Sequence, residues 1–466
     1  MKRTMKETSS TRRQFLKQAA GWTVSLAAFP SIIPASALGR GSGLAASNRV
    51  AIGFIGLGAR GSGVMSDFLN HKAVQVVAVC DVHSGHLDRA RQTVNQHYQN
   101  NDCAAYADFR DLMARNDIDA CVIATPDQWH VLTALAAVRS GKDVYVEKPL
   151  GLSVTEDCAL RHEVRKHKRI FQFGTQQRSD RKFRFACELA RNGRIGKLQH
   201  INVWAPGSVP GGSTDIVAPP PELNYDLWLG ECPLKPYTKN LADELYGAPA
   251  TTWRYISDYA LGFVAGWGVH PLDVAVWGAG PDLFGGPLEV EGRGTFHSEG
   301  VCDTATIWRV NMKSATGVTL KFVGVPNGDG RPTGEPWPEE QEWKQRYGGI
   351  NNYGTAFEGS DGWVHVDRDQ IHFQPESLAN ENEDSFPIQL PRSSDHARNF
   401  LDCIKSRAQT VCPPEEAVRS DTLCHLSDIT MRLNRKVVWD PKQERFLDDP
   451  EANLRLARKM RPPWRL

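Results

Sequence analysis

The chain has 466 residues, 41% of them hydrophobic, with 55 basic residues against 54 acidic ones. That length suits two or three domains with large cores. The formal charge of +1, without a long block of one sign, gives no footing for nucleic acid or an anionic membrane surface as a partner.

The amino-terminal residues differ from the rest. Thr11-Arg12-Arg13-Gln14-Phe15-Leu16-Lys17 precedes a modestly apolar stretch, Ala19 to Leu38, that contains Ala35-Ser36-Ala37. Paired arginines, Phe-Leu-Lys and a weakly hydrophobic run ending in small residues resemble a twin-arginine export signal over residues 1–37. Pro30 and Pro34 make the run a poor permanent span, so a periplasmic or otherwise exported mature protein with no membrane anchor is expected. The ten cysteines show no C-x-x-C and no metal-ligand spacing. They read as buried thiols, and no metal is expected.

Val50 to Ile55 reads as an apolar strand running into Gly56-Leu57-Gly58-Ala59-Arg60-Gly61, a complete G-x-G-x-x-G. Gly56 permits a tight turn, Gly58 lets backbone approach a pyrophosphate, and Gly61 lets the following helix pack close, with its free N–H groups facing the phosphates. Ala59 and Arg60 complete the loop. Val74 to Cys80 is a second apolar strand, and Asp81 follows it 20 residues after Gly61, where a carboxylate accepts both ribose hydroxyls. An acid there repels a 2′-phosphate, which predicts NAD rather than NADP; Arg60 works against that preference.

A polar helix to about Tyr98, a strand at Ala104 to Tyr106 and a helix from Phe109 to Arg115 come next, then a buried strand from Ala120 to Ala124. Thr125-Pro126-Asp127 breaks that strand, a helix follows from Trp129 to Ser140, and Asp143 to Val146 is a strand with Glu147-Lys148-Pro149 at its carboxyl end. This alternation predicts a Rossmann dinucleotide-binding domain over residues 48–174. Ligands in such sheets sit beyond the carboxyl ends of strands, so Thr125, Pro126, His130, Glu147 and Lys148 fall at the cofactor rim.

Residues 175–466 read as an α+β domain with a large, mostly antiparallel sheet and carboxyl-terminal helices. Leu198 to Trp204, Leu288 to Phe296, Thr304 to Met312 and Val318 to Val323 are its expected strands, with Trp308, Val310 and Met312 on one face. Gly207 to Pro221 and Asn327 to Trp343 are expected polar connections, and helices are expected from His396 to Ile404 and from Ser420 to Leu433.

Together, Gly56-x-Gly58-x-x-Gly61, Thr125-Pro126-Asp127-x-x-His130, Glu147-Lys148-Pro149, Gln176-Gln177-Arg178, Tyr225-Asp226-Leu227-Trp228-Leu229-Gly230 and Gly268-Val269-His270-Pro271-Leu272-Asp273 resemble the glucose-fructose oxidoreductase / inositol dehydrogenase (Gfo/Idh/MocA) family. The resemblance covers nearly everything after residue 48. It implies an NAD(P)-dependent enzyme with a carbohydrate substrate, in which Lys148 stands near the nicotinamide and donates to the reacting oxygen. His270, at a helix start, is the second catalytic candidate, taking a hydroxyl proton. The family commonly pairs subunits through the open face of its antiparallel sheet, so a homo-oligomer is expected.

The chain departs from the family at Gly266, four residues before His270, where many relatives carry an aspartate. Asp273, one helical turn after His270, and Asp258 are the candidates to take over that contact. Thirteen tryptophans and ten tyrosines suit stacking on sugar faces, with Trp204, Trp228, Trp253, Tyr255, Tyr259 and Trp267 in or near expected cleft loops. Arg178 and Arg254 are candidates for sugar hydroxyls or a carboxylate. Three functions remain open: an oxidoreductase acting on a ring hydroxyl of a sugar, polyol or glycoside; a redox-neutral glycosidase, lyase or epimerase using transient oxidation; and a cofactor- and sugar-binding protein without turnover.

Overall fold

A computed structural model of the chain describes residues 48–242, 253–328, 331–332 and 337–466; the twin-arginine segment lies outside them. Strands β1 (Val50–Ile55), β2 (Val74–Cys80), β3 (Ala104–Tyr106), β4 (Ala120–Ile123), β5 (Asp143–Val146) and β6 (Phe171–Phe173) form one sheet in the order β3-β2-β1-β4-β5-β6. Every pairing in it is parallel. The sequence dictates this: β4 and β5 are buried at every residue, as strands covered by helices on both faces must be. The chain reverses direction across the sheet between β1 and β4, and that switch leaves a crevice at their carboxyl ends.

The crossover helices are punctuated as their sequences dictate. Asp108 caps the helix Phe109–Met113 by accepting from the Arg110 N–H. Ser153 and Glu156 form a capping box at the start of Val154–His167: the Ser153 hydroxyl accepts from the Glu156 N–H, and Glu156 reaches back to the Leu152 N–H at 3.2 Å.

β7 (Leu198–Pro206), β8 (Leu288–Thr295), β9 (Ile307–Ser314) and β10 (Thr319–Val325) belong to a second sheet; β11 (Asn327–Gly328) and β12 (Arg331–Pro332) pair only with each other. With β13 (Gly354–Gly359), β14 (Trp363–Val366), β15 (Ile371–Gln374), β16 (Val437–Asp440) and β17 (Arg445–Phe446) the second sheet has nine strands, in the order β15-β14-β13-β7-β10-β9-β8-β16-β17. All its pairings are antiparallel except β7 with β10. Trp308, Val310 and Met312 share the buried face, as their alternation predicts. The helix Val269–Ala279, buried at every residue, packs against β7, β13 and the helix Pro414–Leu433.

Three segments differ from expectation. The connection expected up to Trp343 ends in a helix, Glu340–Tyr347, whose Trp343 and Tyr347 pack onto Trp204. β13 and β14 carry buried polar residues such as Thr355 and His365, with buried Asp367 in the turn before β15, and these blur the alternation that reveals strands. The last long helix begins at Pro414 rather than Ser420. It is buried nearly all round and includes Asp421, His425 and Ser427, so it has no polar stripe to mark its period. The helix His396–Ser406 returns to the first sheet, where Phe400 meets Phe68 and Tyr145 edge-on at 6.3 and 6.0 Å.

Candidate active site

A cleft of about 330 Å³ lies over the carboxyl ends of β1, β2, β4 and β5. Its floor is the glycine turn. Gly56 has φ +82°, and a Cβ there would stand 2.5 Å from the Thr125 nitrogen; one at Gly61 would stand 1.9 Å from the Gly56 carbonyl oxygen. No other residue fits either place. Gly58 is the N-cap of the helix Ala59–Leu69, whose first turn carries no acid and no side-chain cap, so the positive end of the helix dipole meets the cleft. The Thr125 hydroxyl in the cleft wall is buried without a partner. An orphaned hydroxyl beside a glycine cradle and an uncapped helix start fits a bound dinucleotide.

Asp81, at the end of β2, lines the cleft, and its two oxygens accept from the Leu57 N–H at 2.6 Å and the His83 N–H at 2.8 Å. The carboxylate therefore braces the glycine loop at the edge of the cleft. His83 and His86 stack at 4.1 Å beside it, a pair the sequence reading passed over because neither lies in the fingerprint. Burial and then His86 lower the His83 pKa.

Glu147 and Lys148 leave β5 in opposite roles. Glu147 is buried and binds Arg60 at 2.6 Å and the Gln176 amide at 2.9 Å. Burial alone would raise its pKa, but the Arg60 guanidinium outweighs it and holds the carboxyl below its usual value. Arg60 is thus anchored to Glu147. His130 places its ring nitrogens 2.6 Å from the Pro149 carbonyl and 2.9 Å from that of Thr125, tying the ends of β4 and β5 together. Its role is to fix the rim.

The Lys148 ammonium donates to the Gly266 carbonyl at 2.8 Å, so the departure from the family pattern lies directly against this lysine. Burial lowers the Lys148 pKa, with Glu147 and Asp127 opposing. Asp127 shares the cleft and is pushed up to about 7 by burial, against the fields of Lys148 and Arg254. A cationic donor next to a carboxyl that titrates near neutrality can pass a proton at physiological pH.

Of the expected aromatics, Trp228, Trp253, Tyr255 and Trp267 line the cleft, and Arg254 lies over Trp253 with its guanidinium 4.6 Å from the ring centre. Tyr259 packs behind, against Trp228. Trp204 is a correction: it sits in a separate core with Trp343 and His365. His270 is buried beside the cleft, edge-on to Trp267 at 5.9 Å, with Nδ1 unpartnered among the described residues. Burial, then Lys148, Arg368 and Arg60, lower its pKa well below the usual histidine value, which keeps the imidazole neutral and basic.

Asp273 and Arg178 do not serve as expected. They form a bidentate ion pair, 2.8 Å on both contacts, with Ser420 donating to Asp273 at 2.6 Å and Arg178 lying over Trp277. Both are nearly inaccessible and neither lines the cleft. Asp273 points its charge at Arg178 instead of His270, because a buried guanidinium demands a carboxylate more strongly than an imidazole does. Asp258 is likewise spent on Lys235. No carboxylate makes an ion pair or hydrogen bond with His270 among the described residues.

This glycine cradle, ribose acid and strand-end lysine on a parallel sheet define a dinucleotide-dependent oxidoreductase architecture. Residues 50–175 match the family described as "Oxidoreductase family, NAD-binding Rossmann fold", and residues 359–466 match its C-terminal alpha/beta domain. Between them they take in half of the chain, and the protein belongs to the Gfo/Idh/MocA oxidoreductase family, with an NAD-binding Rossmann domain.

Among curated relatives it is 32% identical over 207 residues to a "Glycosyl hydrolase family 109 protein 1" of a Shewanella species, and 30% identical over 207 residues to the "Alpha-N-acetylgalactosaminidase" of Shewanella oneidensis. Each match covers 41% of this chain and 44% of the relative, so the chain spans less than half the length of these relatives. Solved structures sharing the fold include the WlbA dehydrogenase of Chromobacterium violaceum with NADH and UDP-GlcNAcA, at TM-score 0.61 and 15% identity over 85% of this chain and 97% of that one. The aldose-aldose oxidoreductase of Caulobacter crescentus aligns at TM-score 0.58 and 16% identity, over 84% of this chain and 99% of that one.

Proposed function

We propose that the protein oxidises a ring hydroxyl of a sugar, polyol or glycoside using NAD held in the cleft. The observation that carries this is Lys148: a half-buried ammonium at the end of β5, in the same cleft as the glycine cradle, which Trp253, Arg254 and Trp267 also line. The bound nicotinamide would supply hydride acceptance and return. Lys148 binds the reacting oxygen and stabilises charge there, neutral His270 takes up the hydroxyl proton, and the tryptophans cover the apolar ring face and exclude water. Mixing NAD-loaded protein with a panel of free sugars, polyols and glycosides, and following the reduced-nicotinamide absorbance, tests it. A keto sugar formed with NADH is expected; no absorbance change with any member overturns the reading.

A second reading is favoured by the printed names of the curated relatives, a glycosyl hydrolase and an α-N-acetylgalactosaminidase. In it the same oxidation acidifies the neighbouring C–H; loss of that proton expels the aglycone by elimination, water adds across the double bond so formed, and the hydride returns to the ketone, leaving no net NADH. The amino-terminal pattern around Arg12 and Arg13 supports this economy of cofactor: a protein exported already folded would carry its NAD to a compartment that has little free. Product analysis separates the two readings. We further propose that the mature protein is exported and acts as a homo-oligomer.

A further inference from the structure

Away from the cleft, Asp157, Asp421 and His425 converge in the interior. His425 Nε2 stands 3.2 Å from an oxygen of Asp157 and 3.2 Å from one of Asp421, and the three donor atoms lie within 4.8 Å of one another. Asp421 and His425 are one turn apart on the helix Pro414–Leu433, while Asp157 comes from the first turn of Val154–His167. No sequence spacing announces such a set, because more than half the chain separates its two halves. The linear reading, which expected no metal, could not see it.

Two further observations distinguish this set from an ordinary buried ion pair. Asp157 and Asp421 are fully buried, and Oδ1 of each has no hydrogen-bond partner among the described residues. A buried carboxylate normally recruits every donor within reach, and leaving oxygens empty costs desolvation without return. The set itself carries more negative than positive charge, although Arg432, Arg455, Arg458 and Lys459 line the cavity beside it. Glu156 and Glu231 are buried nearby, Glu231 Oε2 is again unpartnered, and His425 is the sole ion-pair partner of either aspartate among the described residues. One imidazole between two buried carboxylates leaves charge that a proton balances poorly and a divalent cation balances fully.

We propose that Asp157, Asp421 and His425 bind a divalent transition cation of the Zn²⁺ or Mn²⁺ class. Donors held about 2.1 Å from an ion and about 100° apart stand about 3.2 Å from each other, which matches the imidazole–carboxylate spacings seen here. Two carboxylates and an imidazole suit these ions better than soft, thiolate-seeking ones. Of the three, His425 lines a cavity of about 410 Å³ that Glu231, Asp258 and Asp428 share with Arg432 and Arg458. The ion clamps a crossover helix of the Rossmann sheet to the long carboxyl-terminal helix. Asp421 also accepts from the Gly151 N–H at 3.5 Å, so the clamp supports the segment that follows Lys148.

Metal content decides the matter. Full-length protein purified without chelators, then exposed to Zn²⁺ or Mn²⁺ and desalted, is expected to retain about one ion per chain by plasma mass spectrometry. For Mn²⁺, the free-ion paramagnetic resonance signal should disappear as the site fills. Asp421→Asn, Asp157→Asn and His425→Gln keep size and shape, and each should weaken retention by more than about 100-fold, beyond the usual effect of outer-shell changes. NAD binding in the same samples reports whether a variant is folded. Wild-type protein that holds neither ion and whose melting temperature is indifferent to Zn²⁺, Mn²⁺ and chelator overturns the proposal, leaving a protonated His425 between two carboxylates. Folded variants that retain as much metal as wild type overturn it equally.

Discussion

The Lys148 ammonium donates to a backbone carbonyl, that of Gly266, and this decides what its loss should do. The cofactor cradle consists of Gly56, Gly58, the start of the helix Ala59–Leu69 and Asp81, none of which depends on the ammonium. Lys148→Met should therefore abolish hydride transfer while NAD stays bound, measured by stopped-flow absorbance in a single turnover with a responsive sugar; a near-normal rate would make the lysine structural. Gly266 allows a second test. A Cβ there would come no closer than 3.4 Å to the Phe263 ring, so Gly266→Asp should fold. The new carboxylate favours the charged imidazolium, so the lowered pKa of His270 should rise. Because only neutral imidazole accepts the proton, the acid limb of the pH–rate profile should move to higher pH. Coincident profiles would show that residue 266 does not address His270.

At the scale of elements, the Arg178–Asp273 pair joins the short turn at Gln176–Ser179 to the buried helix Val269–Ala279, and Glu416 and Ser420 extend it to the helix Pro414–Leu433. Removing one partner strands the other as a buried charge. Arg178→Ala should destabilise the fold by about 3–5 kcal/mol, read from denaturant unfolding, with the NAD affinity of the remaining folded protein unchanged. A loss of sugar binding without loss of stability would return Arg178 to the substrate site. The contrast shows what the sequence can express. The glycine loop, Asp81 and Lys148 were legible because their chemistry is tied to local spacing along a strand, turn and helix. Asp273 was misread because its partner is remote: one helical turn from His270 suggested a contact, while tertiary packing supplied a guanidinium. β13 to β15 and the true start of the helix at Pro414 were hidden by the same cause, since buried polar residues such as Asp367, Asp421 and His425 break the hydrophobic period that marks an element.

For the whole molecule, the proposed export raises the question of what would survive a passage out of the cytoplasm. All ten cysteines are free, nine of them buried and Cys158 half-buried. Burial pushes the Cys103 thiol up to about 11 and that of Cys121 up to about 12. Oxidation proceeds through the thiolate, so a folded protein with such thiols would resist an oxidising compartment. The dinucleotide is protected by different means. Its cleft is walled by Trp129, which the carboxyl-terminal tail covers through Trp464 at 4.8 Å, while Arg461 holds that tail to Asp226 and to the Gly230 carbonyl. Protein recovered from the exporting compartment should therefore contain NAD(H) in near-stoichiometric amount, seen by mass spectrometry of the denatured supernatant, and should yield ten alkylatable thiols once unfolded without reductant. Removing the tail from Arg461 onward should increase the rate of NAD loss during desalting, since the wall loses its support while the glycine cradle remains. Stoichiometric NADP, or full activity from protein that carries no nucleotide, would refute the picture of a cofactor loaded before export and kept through turnover.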